Sequence, residues 1–138
     1  VKLSVKSDYA VRAVFGLARA FRTRDVCRVD DLAAEQGVPA NYLVQILIEL
    51  KSTHLVKSVR GKEGGYLLAR PPAEISLGDV LRAIHGEIFD SPALSDTQCP
   101  PPLRHAWEKL QSAVTRTANA INFQDLVEDA DRSKMYYI

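Results

Sequence analysis

The amino-acid sequence predicts a mainly α-helical fold with one small β-hairpin, and three observations carry that prediction. Apolar residues recur at helical spacing over most of the chain. Between Leu55 and Ala69 the pattern becomes that of a hairpin, with Val56, Val59, Tyr66 and Leu68 as strand formers around a turn that holds Arg60, Lys62 and three glycines. In the last third of the chain Leu103, Trp107, Leu110, Val114, Thr117 and Ile121 follow at spacings of 4, 3, 4, 3 and 4, which is one long apolar seam.

The elements follow in order. Ser7 or Asp8 can cap a first helix with Ala10, Val14, Leu17 and Phe21 on its core face and Arg12, Arg19 and Arg22 interleaved. Asp30 or Asp31 starts a short second helix, Leu32 to Gln36, which Gly37-Val38-Pro39 ends. A third helix over Ala40 to Ser52 places Leu43, Ile46, Leu47 and Leu50 on one face and leaves Asn41, Tyr42, Val44, Gln45 and Ile48 off it. Helix, short turn and helix form a helix-turn-helix pattern, filled by Ala33, Gly37, Val38, Leu43 and Ile46, with Gln36 in a place that is usually apolar. The hairpin that follows then reads as a basic wing.

Beyond Pro71-Pro72, Ser76 and Asp79 make a capping-box start for a helix bearing Leu77, Val80, Leu81 and Ile84, which Gly86 can end. Glu87 to Pro102 has no periodicity and holds Pro92, Pro100, Pro101 and Pro102, so it reads as a loop. The long helix comes next. Asn122 with Asp125 can cap a short last helix carrying Phe123, Leu126 and Val127, and Asp129 to Ile138 reads as an unassigned mobile tail.

Charge divides the chain. Residues 1–70 hold 12 Lys/Arg against 7 Asp/Glu (+5), and residues 71–138 hold 6 against 10 (−4), which sum to the formal +1. The basic half is the half with the wing, as suits a nucleic-acid-binding front. Two cysteines, Cys27 and Cys99, are too few for a disulfide scaffold or a self-contained zinc site. No apolar run has transmembrane length, and Val1 to Ser7 lead into an amphipathic pattern, so a cytoplasmic location without membrane association is expected. No enzymatic activity is expected either: there is no nucleophile-base pair or paired metal motif, and Gly61 to Gly65 belongs to a hairpin and opens no helix.

With these elements in order, the chain resembles the bacterial Rrf-two (Rrf2) family of winged helix-turn-helix transcription regulators, up to about Val127. The most specific pieces are Ser7-Asp8-Tyr9-Ala10, Tyr42-Leu43-Val44-Gln45-Ile46-Leu47, and Leu55-Val56 through Arg60-Gly61 to Gly64-Gly65-Tyr66-Leu67-Leu68-Ala69. The resemblance implies a winged DNA-binding domain over 1–85, a sensor-type loop over 86–102, and a dimerisation helix with a short terminal helix over 103–128, followed by the tail at 129–138. It further implies a repressor that binds a near-palindromic operator in double-stranded promoter DNA as a homodimer, under the control of a protein or small-molecule effector.

The residue chemistry suits that role. Gln45 offers a donor and an acceptor for bidentate reading of adenine, and Arg60 suits a narrow minor groove. Asn41, Tyr42 and Lys62 suit phosphate contacts. Val44 stands where some relatives carry a polar residue, so their operator sequence does not transfer, and its apolar side chain can touch a thymine methyl. The competing reading is a winged-helix protein-interaction module that binds no DNA.

Many relatives hold an iron-sulfur cluster through three loop cysteines, because iron and sulfide favour thiolates. This chain has only Cys99 there. His105, near the histidine ligand of the cluster assembly regulator, and Asp8, matching a residue that in the nitric-oxide sensor reaches the cluster from the partner subunit, are the other candidate ligands. Both have plainer roles, Asp8 as a helix cap and His105 as a helix-surface residue, so no cofactor is expected, and a cluster-bearing redox or nitric-oxide sensor is the alternative.

Overall fold

In the computed structural model, which describes residues 2–136, Ser4 opens the first helix. Its hydroxyl accepts a hydrogen bond from the Ser7 backbone N–H at 3.1 Å, so α1 runs over Val5–Phe21. Ser7 and Asp8, the expected caps, therefore lie inside the helix. Ser7 is buried, and Asp8 pairs with Arg12 one turn on, at 3.0 Å. The expected core face holds, with Ala10, Val14 and Leu17 fully buried and Phe21 packed at the edge.

The second helix, α2 (Val29–Gln36), begins a turn earlier than Asp30 or Asp31 would place it, and its N-cap, Arg28, makes no capping hydrogen bond through its side chain. Gly37 ends it in the left-handed region at φ 67°, which glycine tolerates without a Cβ penalty. Pro39 caps α3 (Ala40–Ser52). As the seam predicts, Leu43, Ile46, Leu47 and Leu50 are its buried residues.

Two strands, β1 (Val56–Val59) and β2 (Gly65–Leu68), pair antiparallel with Val56 opposite Leu68 and Val59 opposite Gly65. After a 3-10 turn at Pro72–Glu74, the capping box forms at α4 (Leu77–His85): Ser76 Oγ accepts from Asp79 N–H, and Asp79 accepts from Ser76 N–H, each at 3.0 Å. The segment 86–100 is irregular except for one 3-10 turn, Pro92–Leu94.

The long helix, α5 (Pro101–Ala120), starts two residues before Leu103 and packs on α4 and on that 3-10 turn. The chain then doubles back: Leu77 N–H donates to Ile121 O at 2.7 Å and Phe123 N–H to Ile75 O at 3.1 Å. Asn122 caps α6 (Phe123–Tyr136) through Asp125 N–H at 2.9 Å. This last helix is longer than expected. Asp129 to Tyr136, read as tail, is helical, and Tyr137 and Ile138 lie outside the described residues. Phe123 and Val127 enter the core built by α1, α2, α3, the hairpin and Val80 of α4, whereas Ala118, the one buried residue of α5, lies outside that cluster.

Candidate nucleic-acid interface

The exposed side of α3 is set by the geometry of its buried side. With 3.6 residues per turn, Asn41, Val44, Gln45 and Ile48 share one stripe at i, i+3, i+4 and i+7, opposite the core quartet. All four are exposed. Gln45 and Asn41 make no side-chain hydrogen bond among the described residues, so their donors and acceptors are open to a ligand.

Tyr42 sits beside the stripe, 57% exposed, with its ring edge-on to that of Tyr9 at 6.2 Å between centroids. The guanidinium of Arg12 lies 5.8 Å from the centre of the Tyr9 ring and donates to Gln36 O at 3.4 Å while holding Asp8. One cluster thus joins α1, the end of α2 and the start of α3. Gln36 fits its usually apolar place because Gly16 lacks a side chain: a Cβ there would stand 3.2 Å from Gln36 Cγ and 2.5 Å from Leu32 Cδ1. The glutamine amide reaches out to Glu35 at 3.2 Å.

The wing tip is a five-residue turn, Arg60 to Gly64, closed by Gly64 N–H donating to Gly61 O at 3.0 Å, with Gly61 at φ 115°. Arg60 and Lys62 are exposed at this tip, and neither side chain has an ionic partner among the described residues. The hairpin is held at three places. Arg28 donates to Lys62 O at 3.2 Å, Lys51 on α3 donates to Ser58 Oγ on β1 at 2.7 Å, and the Cys27 and Tyr66 backbones exchange two hydrogen bonds of 2.8 Å. That last pairing needs glycine at 65, since a Cβ there would meet Cys27 O at 2.2 Å.

Arg28 and Lys51 have no counterpart among the residues picked out from the sequence, and Tyr9 and Arg12, seen there as part of a motif and as a charge on the first helix, have no expected place at the interface. Their roles depend on contacts between distant segments, for which local spacing carries no signal. Cys27, half-buried behind the wing, has its thiol pKa raised by burial and then by the negative charges of Glu35, Asp25 and Asp31, which makes it a poor nucleophile at neutral pH.

Within one protomer the candidate cluster ligands sit on three different elements. Cys99 is half-buried in the loop, with its carbonyl held by Arg104 at 3.2 Å, while His105 is exposed on α5 and Asp8 is engaged by Arg12 on α1. Among the described residues no group of three or more His, Cys, Asp or Glu is placed to hold a metal ion. One loop thiol does not fit a site that needs three thiolates.

A helix-turn-helix with its exposed stripe beside a basic, braced wing defines a winged-helix DNA-binding transcription regulator. The chain belongs to the Rrf2 family, described as iron-dependent transcriptional regulators, whose model matches residues 3–129. It is 52% identical over 88 residues to Rv1287 of Mycobacterium tuberculosis, named as an HTH-type transcriptional regulator; the match covers 64% of this chain and only 54% of that relative. The HTH-type transcriptional regulator CymR of Bacillus subtilis is 29% identical over the whole of both chains. Among solved structures, IscR of T. potens superposes with a TM-score of 0.80 at 33% identity, covering 99% of this chain and 97% of that one. CymR of B. subtilis, described as that organism's global cysteine regulator, superposes with a TM-score of 0.83 at 29% identity, covering 93% and 97%. No described helix is long and apolar enough to cross a membrane.

Proposed function

We propose that this chain is a repressor that occupies a near-palindromic promoter operator as a homodimer. Residues 1–85 read DNA, the irregular segment 86–100 forms a loop, and α5 joins two copies. The observation that carries this reading is that the open side of α3 and the tip of the wing both expose unpartnered polar and cationic groups, on two elements braced to each other. A duplex supplies complementary phosphates and groove edges. In this reading Gln45 pairs with a base edge in the major groove and Arg60 enters the adjacent minor groove. Asn41, Tyr42 and Lys62 contact phosphates and set the register.

The dimer is supported by α5, where Leu103, Trp107 and Leu110 are 56%, 39% and 45% exposed along a single seam. Apolar side chains on one helical stripe lose that exposure when a second copy covers them. The protein works in the cytoplasm, without catalysis and without an iron-sulfur cluster. Its control falls to a protein or small-molecule effector.

Duplex binding should weaken steeply with salt and prefer an operator over random competitor DNA. Arg60→Ala and Gln45→Ala should each cost about 1–3 kcal/mol of specific affinity. The same preparation, kept anaerobic and assayed for iron and sulfide, should hold neither in stoichiometric amount. Equal operator affinity in wild type and both variants defeats the site assignment, and salt-insensitive binding to a protein partner alone favours an interaction module.

A further inference from the structure

The exposed stripe of α3 carries two apolar, β-branched side chains, Val44 at 38% and Ile48 at 49% exposure. They lie on either side of Gln45, at one residue before it and three after it. Single exposed apolar residues are ordinary on protein surfaces. Two on one stripe with Gln45, next to a wing bearing Lys57, Arg60 and Lys62, are a patch of mixed character: apolar at the centre and cationic at the edge.

That combination selects its occupant. The unpaired cations favour a polyanion, and in the major groove of a duplex the one apolar feature among the base edges is the thymine 5-methyl group. The stripe also lacks a carboxylate to accept from the cytosine amino group. Glu49, the only acid on α3, lies off the stripe and is taken up by Lys6 at 2.7 Å. We propose that Val44 and Ile48 are specificity-determining residues that contact thymine methyl groups, so that the operator carries A·T pairs beside the pair read by Gln45. This rests on the reading of α3 as the DNA-facing helix.

The test starts with the full chain and a randomised duplex pool, from which bound sequences are selected at physiological salt. Each thymine of the selected operator is then replaced by deoxyuridine, which removes only the methyl group. At one or two positions within each half-site, deoxyuridine should weaken wild-type binding about 3- to 10-fold, the scale of one buried methyl group. For Val44→Ala or Ile48→Ala the same replacement should have little further effect, with salt dependence and melting temperature unchanged because both side chains are exposed. A selected operator whose affinity ignores every deoxyuridine, or loses equally in wild type and both variants, overturns the proposal while leaving the DNA-binding reading intact. Enrichment of no sequence overturns both.

Discussion

Helices α3 and α5 are both amphipathic, yet α3 buries four of its thirteen residues within the chain and α5 buries one of its twenty. For α3 the apolar face is satisfied at home, and what remains outside is a stripe suited to a ligand. For α5 the reverse holds. Leu103, Trp107 and Leu110 of its apolar seam stay exposed, while its other contacts seat it on α4 and on the loop before it, as where Gln111 donates to Phe89 O at 3.0 Å. Amphipathicity alone therefore does not tell a helix whose apolar face is buried at home from one whose face is left exposed; what separates them is whether the rest of the chain supplies a cover.

That contrast can be broken from either side. The largest effect is expected at the α3 seam, where Leu47→Ala removes a fully buried side chain and should cost about 2–5 kcal/mol in urea unfolding. On α5, Leu110→Glu should leave the folded protomer intact but weaken self-association by about 2–3 kcal/mol, read by sedimentation equilibrium. Loss of fold in place of loss of association would mean that α5 is a core helix after all.

The smallest effect sharpens the boundary between the two regions, at the cap of α4. Burial raises the pKa of Asp79, but the Ser76 N–H, the Arg82 guanidinium, the Ser76 hydroxyl and the charge of Arg70 outweigh it, and the net shift is below the ordinary aspartate value of 3.8. A carboxyl with a lowered folded-state pKa stabilises the fold above its unfolded value, and that contribution is lost as pH falls through the folded one. Asp79→Ala should therefore cost about 1 kcal/mol at neutral pH, with the gap to wild type closing in acid below pH ~3.8. A gap that persists in acid would assign the loss to packing.

Much of the fold was legible where the signal is local. The α3 seam, the hairpin, the Ser76/Asp79 box and the Asn122 cap all depend on spacings of a few residues, and all stand as read. The start of α1 was misplaced at Ser7 or Asp8 because Ser4, with the same capping chemistry, stands one turn earlier, and there its hydroxyl takes the Ser7 N–H. The extension of α6 past Glu128 carries no apolar period. There Arg132 pairs with Asp129 along the helix, continuing the pairing of Gln124 with Glu128 at 2.9 Å in the turn before. At the candidate interface, exposure of Gln45, Arg60 and Lys62 could be read from the pattern. The braces from Arg28, Lys51 and Cys27 could not, because they join segments that only the folded chain brings together.

Those braces give the interface a fixed gauge. With Lys51 fastening β1 to α3 and the Cys27 backbone fastening β2 to the connection between α1 and α2, the separation of α3 from the wing is set by contacts within the chain. On the proposed reading of α3 and the wing as the DNA-facing elements, the protein then measures a duplex as a caliper does. A site whose groove spacing departs from that gauge must bend or twist to touch both jaws, and the elastic cost falls on the DNA, where it differs from one sequence to the next.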